Sequence, residues 1–111
     1  MNKWILGARP RTLPAAVTPV VVAVAIAYPV FNFINALLAL IVGLALQIAV
    51  NYANDYSDGI KGTDAERIGP TRLVASGLAS AAEVKQAAIA AFGIGFMGLG
   101  VWMWVNFHRL P

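Results

Sequence analysis

Apolar positions run without a charged interruption from Thr12 to Asn54, and again from Gln86 to Phe107. The first run is too long for one membrane crossing, which takes about 20 residues, and suits two. Pro29, Asn32 and Asn35 cluster as turn formers between Tyr28 and Asn35 and divide it. The pattern predicts transmembrane helices over about 13–30, about 35–58 and about 81–107, with a polar loop over 59–79. Pro14 suits a first helical turn, and Pro19 would kink a helix in a way that membrane bundles tolerate. Ser80 and Glu83 have capping-box spacing at the start of the third helix. Trp102, Trp104 and His108 stand at its end as interfacial anchors. Ala91, Gly93, Gly95, Gly98 and Gly100 give that helix a small-residue surface suited to close packing.

Composition narrows the class. The 111 residues are 59% hydrophobic and 12% charged, with mean hydropathy +0.72. A soluble domain carries about 25% charged residues. A small domain also buries too little of its surface to hide so apolar a chain from water. Disorder needs low hydrophobicity, and a disulfide-stapled fold needs cysteines, of which there are none. The expected fold is therefore all-α: an integral membrane helical bundle with three transmembrane helices, whose solvent is the lipid bilayer.

The net charge of +3 follows the same logic and points to no nucleic acid partner. Lys3, Arg9, Arg11, Lys61, Arg67, Arg72 and Lys85 fall on one side of a three-crossing arrangement, and Arg109 on the other. The positive-inside bias then places the N-terminus and the 59–79 loop in the cytoplasm. The basic N-terminus before an apolar run, with Ala25-Ile26-Ala27 following, has some features of a signal peptide. Two further spans follow, so even a cleaved product would be a membrane protein.

The end of the second helix carries the chemistry. At 100° per residue, Gln47, Asn51, Asn54, Asp55 and Asp58 fall within an arc of about 100°. Polar groups on a membrane helix face protein or a water-filled cavity. This stripe is therefore expected to look inward. Carboxylates and amide oxygens are hard ligands that suit Mg²⁺, an ion that takes few protein ligands and bridges to phosphates. Asp64 lies beyond Gly59 and Gly62 and can return to the same ion. Arg67, Arg72 and Lys61 are candidate phosphate contacts. Plain hydration of an emerging helix end would explain Asp58 but not the deeper Asn51 and Gln47. A calcium EF-hand fails, because its third and twelfth positions would be Tyr56 and Ala65. Two other readings are a non-catalytic membrane scaffold or subunit and a small cation transporter. The transporter is disfavoured because its carboxylates would sit nearer mid-membrane.

The run Asn54-Asp55-Tyr56-Ser57-Asp58-Gly59-Ile60-Lys61-Gly62-Thr63-Asp64 resembles the first aspartate-rich motif of the UbiA superfamily of intramembrane prenyltransferases. With Arg67-Ile68-Gly69-Pro70-Thr71-Arg72, Ser76-Gly77 and the opening Ala8-Arg9-Pro10-Arg11-Thr12-Leu13-Pro14-Ala15, it is similar to the 1,4-dihydroxy-2-naphthoate prenyltransferase branch, which serves menaquinone biosynthesis. The superfamily pattern NDxxDxxxD ends here on Gly62, and the aspartate comes two residues later at Asp64, as in the naphthoate branch. The resemblance implies that Asn54, Asp55, Asp58 and the branch-specific Asp64 hold Mg²⁺ and, through it, the diphosphate of a polyprenyl diphosphate donor. Asn54, Asp55 and Asp58 are the implied catalytic residues, and Arg72, with Arg67 and Lys61, the implied diphosphate contacts. The allylic C–O bond breaks with carbocation character, and the ring of 1,4-dihydroxy-2-naphthoate attacks with loss of its carboxylate. The implied location is the plasma (bacterial inner) membrane.

Members of that family have about nine transmembrane helices and a second aspartate-rich motif. The acidic residues here are Asp55, Asp58, Asp64, Glu66 and Glu83 alone. The chain is therefore expected to be the N-terminal third of a nine-helix bundle. It would be inactive by itself and in need of the missing C-terminal half or another chain.

Overall fold

The computed structural model describes residues 2–61 and 73–107. They form four α-helices, α1 (Lys3–Ala8), α2 (Pro14–Ala27), α3 (Phe33–Lys61) and α4 (Ala81–Phe107), with a 3-10 turn at Pro10–Thr12. No strand occurs among the described residues, and the architecture is an all-α helical bundle. α3 and α4 are each long and apolar enough to cross a membrane, and a third span results if α1 to α2 counts as one bent element.

α1 has no counterpart in the hydropathy pattern, since it lies in the charged stretch before the first apolar run. Asn2 caps it by accepting from the Trp4 N–H at 2.8 Å. Arg9 ends it in a left-handed conformation, with φ of 56°. That conformation costs an L-residue about 1–2 kcal/mol. It is held here by Thr12, whose N–H and hydroxyl both donate to the Arg9 carbonyl, at 2.9 and 2.8 Å. The chain then turns by 45° into α2.

α2 opens on Pro14 and contains Pro19. The Thr18 hydroxyl donates to the Pro14 carbonyl at 2.8 Å, a back-bond of the kind that bends helices. α2 leans on α3 where Gly43 lies 3.5 Å from the Ala16 carbonyl, measured from the Cβ an alanine would carry. The Tyr28–Pro29 peptide bond is cis, and Asn32 caps α3 by accepting from the Asn35 N–H at 3.0 Å.

α3 is the central element. Its buried positions, Ala45, Ala49 and Tyr52, recur at helical spacing, with Asn51 and Asp55 at the edge of that face. α4 packs against it through Gly95 and Gly98. A Cβ on Gly95 would meet Leu46 Cδ2 at 2.7 Å, and one on Gly98 would meet Val42 Cγ2 at 2.9 Å. At the far end of this pair, Asn35 and Asn106 exchange side-chain amide hydrogen bonds of 3.2 and 2.9 Å. At the near end, the Ser80 hydroxyl accepts from the Glu83 N–H, and the Glu83 carboxylate accepts from the Ser80 N–H, which is a complete capping box.

Away from these contacts the helices expose large apolar side chains, including Ile26, Val30, Ile89, Phe96, Met97 and Trp104. That is how a protein solvated by lipid presents itself. At 1.5 Å per residue α3 is about 43 Å long, against a hydrocarbon layer of about 30 Å. Its polar C-terminal turns therefore reach the headgroup zone.

Candidate functional site

The last three turns of α3 gather the polar residues, and the stripe they form divides in two. Asn51 and Asp55 turn toward the bundle and are 5% and 1% exposed. Asn54 is exposed, while Gln47 and Asp58 are half-buried. Among the described residues, the bundle thus covers only part of the stripe, and Asn54 lies away from the face built by Ala45, Ala49 and Tyr52.

The inward residues bind main chain. Asn51 Nδ2 donates to the Ala8 carbonyl at 2.8 Å and to Thr12 Oγ1 at 2.9 Å. Tyr52 donates its hydroxyl to the Trp4 carbonyl at 2.6 Å, and its ring meets Trp4 edge-on at 5.9 Å. Asp55 accepts one main-chain N–H on each oxygen, from Leu73 at 2.6 Å and from Val74 at 2.9 Å. Leu73 is fully buried in a cluster with Tyr52, Ala79, Val84 and Ala88. Asn51 and Tyr52 of α3 thus hold α1, and Asp55, one turn on, holds the segment that begins at Leu73.

That returning segment is a tight turn. The Leu73 carbonyl accepts from Ser76 Oγ at 3.3 Å and from the Ala79 N–H at 3.2 Å, and Gly77 takes a φ of 79° where a side chain would be strained. Lys3 joins α1 to the same region. Its ammonium donates to the Leu78 carbonyl at 3.2 Å and lies 4.0 Å from the Glu83 carboxylate. An exposed ion pair at that distance contributes little, so the hydrogen bond is the firmer link.

Of the residues singled out from the sequence, Asn54, Asp55 and Asp58 share one end of α3, and Lys61 is its last residue. Asp64, Arg67 and Arg72 lie outside the described residues. Among the described residues no group of three His, Cys, Asp or Glu side chains is placed to hold a metal. The donors that suit a small hard cation are the Asn54 amide and the Asp58 carboxylate, four residues apart and so neighbours on the helix surface. A Mg²⁺ ion, which keeps several waters and takes phosphate oxygens, needs few protein ligands, and an amide and a carboxylate one helical turn apart are of the kind it takes. Both oxygens of the Asp55 carboxylate accept N–H groups from within the bundle. Thr12, Leu73 and Val74 were not legible as part of this region, because what they contribute is largely main-chain groups and buried surface.

Comparison with known proteins completes the description. A family model described as the UbiA prenyltransferase family matches residues 16–109. Over 95 residues the chain is 53% identical to the 1,4-dihydroxy-2-naphthoate octaprenyltransferase of Mycobacterium tuberculosis, covering 84% of this chain and 32% of that protein. It is 57% identical over 89 residues to the protein of the same name from Mycobacterium leprae, covering 78% of this chain and 30% of that one. Against the Escherichia coli protein of that name the identity is 44% over 89 residues, covering 78% and 29%. The chain thus spans about a third of the length of these relatives. No solved structure matches it.

Proposed function

The chain belongs to the UbiA prenyltransferase family, and on that premise we propose that it supplies the diphosphate-binding end of an intramembrane prenyltransferase. The reaction moves a polyprenyl group from its diphosphate to 1,4-dihydroxy-2-naphthoate, a step of menaquinone biosynthesis. It takes place in the bacterial inner membrane, with the N-terminus of the chain in the cytoplasm.

The observation that carries this is the placement of Asn54 and Asp58 four residues apart at the C-terminal end of a long membrane-competent helix, in a chain 53% identical to a naphthoate octaprenyltransferase. Asn54 and Asp58 are the proposed Mg²⁺ ligands, joined by Asp64 and backed by Asp55. Bound Mg²⁺ would supply positive charge against the departing diphosphate. Arg72 and Arg67 grip phosphate oxygens by their planar forks, and Lys61 adds a point charge. The apolar flanks of α3 and α4 receive the isoprenoid tail from the lipid and keep water from the reacting carbon. Water and the phosphate oxygens of the donor would complete the coordination of such an ion.

A chimera tests the proposal. Residues 1–111 replace the matching third of the Mycobacterium tuberculosis relative, and prenylated naphthoate is measured in membranes. Chelator-sensitive product is expected, falling at least 100-fold with Asp58→Asn. A chimera that is active and indifferent to that substitution would refute the role given to α3.

A further inference from the structure

We infer that Asp55 is a positioning residue and not a metal ligand: its carboxylate anchors the main chain of Leu73 and Val74, and so fixes the point at which the chain rejoins the bundle beside α3. Only the purpose of the anchor, which is to present a diphosphate-gripping loop, rests on the function proposed above. The anchor itself stands on its own geometry.

Four features converge on these two residues. The Asp55 carboxylate is 1% exposed and accepts the Leu73 N–H on one oxygen and the Val74 N–H on the other, at 2.6 and 2.9 Å. Such charge-assisted bonds are about twice as strong as neutral ones. Gly7 on α1 makes room for the Leu73 side chain, since a Cβ there would stand 2.6 Å from Leu73 Cδ1. Gly59 near the end of α3 makes room for Val74, since a Cβ there would stand 2.5 Å from Val74 Cβ. The Leu73 carbonyl, in turn, is held by Ser76 and Ala79. Two glycines on different helices, a buried carboxylate and a closed turn thus hold one dipeptide.

A carboxylate so enclosed is poorly placed to share an ion with Asn54, which is exposed on the other edge of the stripe. Desolvating it is costly, and the two N–H groups are what offset that cost. Leu73 is peptide-bonded to Arg72, so fixing the Leu73 nitrogen fixes one end of the segment that carries Arg67 and Arg72. The aspartate motif then has two jobs on one helix end, with Asn54 and Asp58 assigned to the ion and Asp55 holding Leu73 and Val74.

The test uses the full chain in lipid nanodiscs, as wild type, Asp55→Asn, Asp55→Ala and Asp58→Asn. Amide hydrogen exchange is read at Leu73 and Val74, with Val84 and Ala88 of α4 reporting that the bundle is intact. Binding is read with Mn²⁺ alone and with inorganic diphosphate in the presence of Mg²⁺. In Asp55→Ala, exchange at both amides is expected to rise about tenfold to a hundredfold, the scale of a lost hydrogen bond to a charged group. In the isosteric Asp55→Asn, which keeps one acceptor, the rise is expected at one of the two amides. Mn²⁺ affinity in the Asp55 variants stays within about twofold of wild type, while diphosphate affinity falls about tenfold, a split that loss of a metal ligand does not produce. Asp58→Asn is expected to do the reverse, keeping both amides protected and losing Mn²⁺. Unchanged exchange at Leu73 and Val74 in both Asp55 variants would overturn the inference. So would loss of Mn²⁺ binding in Asp55→Asn to the extent seen in Asp58→Asn. If wild type binds neither Mn²⁺ nor diphosphate, the proposed function fails, and the exchange rates still decide the anchor.

Discussion

Asn51 and Asn54 stand three residues apart on one stripe of α3 and meet opposite surroundings. Asn51 is buried, with its amide divided between Ala8 and Thr12, whereas Asn54 is exposed. Asn51→Leu removes both bonds and leaves the Ala8 carbonyl to find another donor. It should destabilise the chain by about 1–2 kcal/mol in detergent unfolding titrations. Asn54→Ala should leave stability within about 0.5 kcal/mol of wild type while weakening Mn²⁺ binding. Gly7→Ala should destabilise by about 1–3 kcal/mol, because its new methyl meets Leu73 and Tyr52. The periodicity that gathers five polar residues on one stripe was legible in the sequence. Which of them are buried against the chain and which are exposed was not. The partners of Asn51 and Asp55 are mostly main-chain carbonyl and N–H groups, and every residue carries those.

Among the elements, α3 and α4 were legible because each is a long apolar run, and α4 also announces its start with Ser80 and Glu83. The six-residue α1 was not. Too short to persist alone, it is held by Tyr52 and Asn51, more than forty positions away. No local signal reports such bonds. The glycines of α4 show the same limit, because their number suggests close packing without saying which of them touch. Gly95 and Gly98 face Leu46 and Val42, whereas Gly93 and Gly100 have nothing within 4 Å of an added Cβ. Gly95→Ala and Gly98→Ala should therefore each cost about 1–3 kcal/mol. Gly93→Ala and Gly100→Ala should be neutral or slightly stabilising, since alanine is the better helix former. Unfolding midpoints in one detergent would separate the two pairs. A double-mutant cycle on Asn35 and Asn106 should give a coupling of about 0.6–1.7 kcal/mol, the range for hydrogen bonds between membrane helices.

At the scale of the whole molecule, the described residues bury few large side chains and leave Ile, Val, Phe and Met side chains exposed, as a bundle solvated by lipid does. Its polar groups concentrate at its ends: the Asn35–Asn106 pair at one, and the α3 stripe with Lys3 and Glu83 at the other. The second of these ends is where the proposed metal and diphosphate contacts lie. The most direct measurement is the binding of a polyprenyl diphosphate to the full chain in lipid nanodiscs, with and without Mg²⁺, in wild type and Asp58→Asn. Saturable binding that disappears with chelator and weakens at least tenfold in the variant is the expected result. Binding of equal strength with chelator present or with Asp58 replaced would contradict a metal–diphosphate site at the end of α3.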